Sequence, residues 1–390
     1  MIASPELTLA RDALRFTPGP VTTSQTVRQA MLHVLGPRHE DLADLVARIR
    51  DGLLRMAGLG RTHGWEVVLH PGTAAVGIES VFQTTVPLGG KVAVLVNGSA
   101  GLRMVRILER ARIECVVLHP GDGMAIDPIA VDACLSDEPQ VTHVAVAHCE
   151  PSTGLVNPVE AIGRVVARHE KVYVVDAVTS FGGMPFDFAH AGAHFVVSMP
   201  DRGLEGMPGF SIVFAPRARM WEGERRARSA SLDLVAHWRS LEPGGEGLDE
   251  LPLPALLAGE QALIELRNEG GTTGRAQRYR RNHETLLAGM RRLGFVPLLD
   301  PALQSSLVTA FRYPVTGFDF ATFARKLSER GLLIAPGDWP GQETFRIASM
   351  GRIFPADVEL LLSAVERVMR DMNLLRPAPV NARPAAGVSA

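Results

Sequence analysis

Between residues 40 and 250 the chain alternates short apolar runs with amphipathic stretches, the pattern of a parallel sheet covered by helices. Leu42, Leu45, Val46, Ile49, Leu53 and Met56 recur at helical spacing and predict one buried helix face. Apolar runs at 66–69, 92–96, 114–118, 143–147, 172–175, 195–198 and 211–214 predict seven strands. An open sheet of this kind binds ligands beyond the carboxyl ends of its strands, so the residues after each run are candidate site positions. The breaker cluster at 242–247 marks a connector. Beyond it the pattern changes: helices at 276–293, 318–330 and 355–372 mix with strands at 306–313 and 344–348, which predicts a smaller α+β unit. The expected organisation is an N-terminal segment at 1–20, a large α/β domain at 21–254 with a seven-stranded, mostly parallel sheet, a small domain at 255–374, and a disordered Pro/Ala-rich tail at 375–390.

Composition removes several classes of function. The 390 residues carry a formal net charge of −2, with an isoelectric point near 6.6, and show no basic footprint for nucleic acid or an anionic membrane. No apolar run approaches the roughly 18 residues of a membrane span. The N-terminus lacks the charged-then-apolar pattern of a signal peptide, so a cytoplasmic location is expected. Cys115, Cys134 and Cys149 have neither metal-ligand nor CxxC spacing, and His33, His39, His63 and His70 are scattered with no HExxH pattern in the chain, so neither disulfides nor a metal site is expected. Lysine is scarce: Lys91, Lys171 and Lys326 stand against 37 arginines.

Several short segments then carry a family resemblance, in order, from about residue 14 to 372. They are 17–20 (TPGP), 97–103 (NGSAGLR), 148–158 (HCEPSTGLVNP), 176–185 (DAVTSFGGMP), 198–210 around Arg202, 228–234 and 344–347. Together they resemble the class V, fold-type I, pyridoxal-phosphate (PLP) aminotransferases, specifically the 2-aminoethylphosphonate–pyruvate transaminase type. The resemblance implies a homodimer with its active site at the subunit interface. It also implies roles. Asp176 would face the pyridinium nitrogen, Val178 the ring face, and Thr153 the phenolic oxygen. Gly72 and Thr73 would belong to the phosphate loop. Thr17, Gly19 and Arg346 would meet the substrate, Arg346 by a bidentate fork onto a carboxylate or phosphonate.

The departures from that pattern point one way. Arg202 stands where the family has its Schiff-base lysine, and a guanidinium is a very poor nucleophile at any physiological pH. Pro71 replaces the serine of a GSGT phosphate loop and lacks a backbone N–H, and His70 replaces its first glycine. Ala100 replaces the stacking aromatic, Glu250 a threonine that reaches across the dimer to the phosphate, and Asp338 a lysine. Lys171 lies five residues before Asp176, about 16 Å away along an extended strand, and no lysine is placed to substitute. Covalent PLP is therefore not expected, and non-covalent PLP only weakly. Three readings stay open. The first is a protein that cannot transaminate alone, keeps a pocket for a small anion, and pairs with itself or with a lysine-bearing relative. The second is PLP-independent chemistry with His148 and Glu150 as an acid–base pair beside Asp176 and Arg202. The third is a residual aminotransferase holding PLP without a covalent bond. Arg202 itself could hold an anionic ligand or pair with Asp176.

Overall fold

The computed structural model describes residues 12–33, 39–121, 123–242, 245, 247–338, 341 and 343–374. The expected tail at 375–390, the first eleven residues and parts of the 242–247 connector lie outside them.

Among the described residues eleven strands form two sheets: β1 Leu14–Phe16, β2 Trp65–Gly72, β3 Lys91–Leu95, β4 Glu114–Leu118, β5 Val141–Ala147, β6 Val172–Asp176, β7 Phe195–Ser198, β8 Gly209–Pro216, β9 Val308–Arg312, β10 Leu332–Pro336 and β11 Thr344–Ala348. The large sheet runs β2-β8-β7-β6-β5-β3-β4. Only β8 is antiparallel to its neighbours. All seven apolar runs of the large unit are strands. Six of them are Val-rich and largely buried because helices cover both faces, which removes the polar alternation of a half-exposed sheet, whereas the edge strand β4 leaves Val117 exposed. The His39–Met56 helix buries Leu45, Val46, Ile49 and Leu53 in this core.

The direction of the strands decides where chemistry can happen. β2, β3, β5, β6 and β7 all end on one edge, so the segments after residues 72, 95, 147, 176 and 198 converge there. The starts of β3 and β6, near Lys91 and Lys171, lie on the opposite edge.

The small sheet runs β1-β10-β11-β9, with β1 parallel to β10 and the rest antiparallel. It packs on the Gly271–Arg292, Phe320–Ser328 and Pro355–Asp371 helices around Phe295, Phe311, Phe323 and Phe345. Through β1, the chain ahead of the 17–20 turn is stitched to this unit. The turn after β5 reaches it as well. Gly154 has φ +83°, and a Cβ there would stand 1.9 Å from the carbonyl oxygen of Val308, so only glycine allows this close approach. Among the described residues no helix is long and apolar enough to cross a membrane, and no cluster of three or more His, Cys, Asp or Glu could hold a metal ion.

Candidate functional site

At the carboxyl edge, Asp176 ends β6 and is 3% exposed. Its Oδ1 accepts a hydrogen bond from the Val178 N–H at 2.9 Å, and its Oδ2 one from Arg103 Nη2 at 3.1 Å. Arg103 rises from the Ser99–Arg110 helix, whose start follows β3. Sequence reasoning did not assign Arg103 a role. The signal was its place one turn into a helix that begins at the site edge. Arg202 does not meet Asp176. Its Nη1 donates to the Asp201 carboxylate at 2.6 Å and to the Asp201 carbonyl at 3.2 Å. The guanidinium also lies flat against Gly19, where a Cβ would stand 1.9 Å from Arg202 Cζ. Asp201 Oδ1 is buried without a partner, and burial holds the Asp201 pKa above the usual carboxylate value despite the neighbouring cation.

Val178, Ala74 and Met199 pack together and form a small apolar floor beside the loop of Arg202. Gly72 has φ +118°, and a Cβ there would meet Val76 Cγ2 at 2.9 Å. Thr73 caps the Ala74–Thr85 helix with no side-chain hydrogen bond. His70 places its ring nitrogens 3.1 Å from the carbonyls of Pro71 and Ser231 and lies 4.4 Å from the ring of His237. Glu250 is close enough to act on His237, whose pKa is lowered chiefly by burial. Thr153 is buried and its hydroxyl accepts from the Leu155 N–H. Thr17 donates to the Pro20 carbonyl.

His148 and Glu150 turn to different partners. His148 Nδ1 shares a 2.9 Å hydrogen bond with Ser180 Oγ, its ring lies against Phe186, and burial pushes its pKa down to about 4. Glu150 is fully buried and turned to the start of the Ser99–Arg110 helix. It accepts from the Ala100 N–H at 3.2 Å and from the N–H and hydroxyl of Ser152 at 3.1 and 2.7 Å. Burial raises its pKa, with the charge of Asp176 adding to the shift and these hydrogen bonds opposing it. Ala100 therefore works here through its backbone, as an anchor for Glu150.

Arg346 enters the cleft from β11 with 12% of its side chain exposed. Its fork is already engaged. Nε donates to the Pro336 carbonyl at 2.9 Å, and Nη1 to the Pro151 carbonyl at 3.0 Å and to Asp338 Oδ2 at 3.3 Å. The expected bidentate grip on a ligand thus requires Arg346 to release oxygens of its own chain.

Buried neutral histidines give the fold an acid limit. His143 is held down to about 3 by burial, with smaller effects from His194 and Arg226, and His148 to about 4. Both folded values lie below the ordinary value near 6.5. The unfolded chain therefore binds protons first as pH falls. The stability these two groups contribute is complete above about pH 6.5 and is lost as pH drops toward 4 and 3. Unfolding free energies from urea titrations at pH 7.5 and pH 5 should fall by about 2 kcal/mol for each group at pH 5.

A seven-stranded sheet with a single antiparallel member, a small α+β unit and polar side chains gathered at one strand edge define an aminotransferase-type fold. The sequence model of the Aminotransferase class-V family matches residues 65–353, and the chain belongs to that family. It is 37% identical to a 2-aminoethylphosphonate–pyruvate transaminase of Vibrio vulnificus, over 93% of this chain and 99% of the relative. It is 40% identical to one of Syntrophobacter fumaroxidans, over 90% and 95%. Among solved structures, an alanine–glyoxylate aminotransferase of Nostoc superposes with a TM-score of 0.86 at 22% identity, covering 94% of this chain and 98% of that one. A ureidoglycine–glyoxylate aminotransferase of Bacillus subtilis gives 0.84 at 22% identity, covering 96% of each. These two likenesses establish the fold.

Proposed function

We propose that this chain keeps the cleft of a 2-aminoethylphosphonate–pyruvate transaminase but holds no covalent PLP and does not transaminate by itself. The observation that carries this reading is the state of position 202. The residue there is a guanidinium, bonded to Asp201 and packed on Gly19, and a guanidinium does not attack an aldehyde. Among the described residues no lysine is placed to do so. Lys91 Nζ donates to Glu138 at 2.7 Å and Lys171 Nζ to the Pro139 carbonyl at 3.0 Å, both on the far edge of the sheet. Lys326 belongs to the Phe320–Ser328 helix of the small unit.

The other groups that would receive the cofactor fit it poorly. Asp176 already has a resident cation in Arg103, so a pyridinium would have to compete for its charge. At the phosphate loop, Pro71 offers no N–H. What the cleft retains is a place for a small acid of the phosphonate or amino-acid type, with Arg346 as its cation.

The test is direct. Purified chain supplied with PLP, 2-aminoethylphosphonate and pyruvate should form no alanine above the protein-free blank. Turnover comparable to that of the curated relatives would overturn the reading.

A further inference from the structure

Asp338 follows β10 in the small unit, and its Oδ2 is held from two directions. Ser99 Oγ, at the start of the Ser99–Arg110 helix of the large unit, donates to it at 2.7 Å. Arg346 Nη1 faces it at 3.3 Å. Ser99 Oγ also lies 3.3 Å from Glu150 Oε1. One hydroxyl carries one proton, and the shorter contact assigns it to Asp338.

The carboxylate therefore sits where an incoming acid would have to sit. It takes one arm of Arg346, the guanidinium read as the anion contact of the cleft, together with a hydroxyl from the opposite wall. While it stays, an incoming carboxylate or phosphonate meets an Arg346 whose Nε and Nη1 are already engaged, and it does so beside a like charge. The other two engaged N–H groups of Arg346 go to neutral carbonyls, which leave its charge uncompensated. Asp338 and the more distant Glu150 are the acids that act on it.

We propose that Asp338 is a resident counter-anion of the ligand site and sets its specificity. It bridges the two walls of the cleft, and only an acid that displaces it from Arg346 and Ser99 binds. This rests on the reading of Arg346 as the anion contact of the cleft. The device needs no covalent step. It is an exchange of one carboxylate for another anion on the same two donors, and the partly exposed position of Asp338, 47% accessible, lets it swing out.

Isothermal titration of the full chain with methylphosphonate tests the proposal. Asp338→Asn keeps the shape and removes the charge, and should tighten binding about tenfold relative to the unsubstituted chain. Ser99→Ala removes only one of the two holds on Asp338 and should tighten binding by a smaller factor. Adding Arg346→Gln to Asp338→Asn should abolish the gain. Methylphosphonate binding that is unchanged, weaker or undetectable in both Asp338→Asn and Ser99→Ala, in folded protein, would overturn the proposal. The amino-transfer assay separates it from the wider reading. A tighter Asp338→Asn that also made alanine would sustain the counter-anion and defeat the loss of transamination. An unchanged Asp338→Asn that made none would do the reverse.

Discussion

Arg202→Lys is expected to give this cleft its first usable amine and, with it, a slow borohydride-fixable bond to PLP. Turnover should nevertheless stay on the order of 100-fold below that of the transaminase relatives, because about 3 kcal/mol of positioning is still missing. Lysine at 202 would inherit the neighbour that now sits 2.6 Å from the guanidinium, the Asp201 carboxylate. A carboxylate at that distance favours the protonated amine, which cannot attack. Asp201→Asn added to Arg202→Lys should therefore speed adduct formation. The remaining deficit lies elsewhere: Pro71 in the phosphate loop, Ala100 without a ring to stack, and Asp176 committed to Arg103. Stopped-flow absorbance for the adduct and alanine production for turnover separate the two effects. Full turnover from Arg202→Lys alone would mean that only the anchor had been lost.

The largest effect on stability is expected at Arg278. This side chain is 5% exposed and ties three parts of the molecule together. Nη2 donates to Glu205 Oε1 at 2.6 Å, Nε to Glu269 Oε1 at 2.6 Å, and Nη1 to the carbonyls of Gly351 and Ile353 at 2.6 and 2.9 Å. Burial opposes its charge, but Glu269 and Glu205 more than offset this and its pKa is raised. Arg278→Ala takes the buried cation away from Glu205 and Glu269 and one donor each from the Gly351 and Ile353 carbonyls, which should cost about 3–5 kcal/mol and lower the urea midpoint accordingly. Arg278→Lys keeps the charge but not the fork and should recover only part of the loss.

The same network bears on the site. Glu205 sits at φ +60°, a conformation that favours glycine. It accepts from Arg278 and from Tyr279 Oη, while Arg275 binds the carbonyls of Gly203 and Leu204. The loop that carries Arg202 is thus fixed from the small unit, and releasing it should unsettle the cleft.

The sequence was informative where its signal is local or periodic. The seven strands were legible because each is a short run of Val, Ile and Phe between breakers, and Asp176 because it ends such a run on the ligand-bearing edge. Family segments marked Gly19, Arg202 and Arg346 as candidate site positions, and Gly19 and Arg202 are in contact. Partnership was not legible, because it depends on contacts between distant segments. Arg103 lies 73 residues from the carboxylate it binds, and Ser99 lies 239 from Asp338. The idea of an Arg202–Asp176 pair failed for the opposite reason. The adjacent Asp201 was close enough to take the guanidinium first, and the loop turned it toward Gly19. His148 and Glu150 share the end of one strand, yet one is drawn to Ser180 and the other to the N–H of Ala100.

The central claim is that this chain offers PLP no amine at its site. Stoichiometric PLP followed by borohydride and a peptide-mapped mass spectrum tests it most directly. The expected spectrum has no saturable, site-specific pyridoxyl adduct on Lys91, Lys171 or Lys326. A one-to-one adduct on any of the three, suppressed by 2-aminoethylphosphonate, would contradict it.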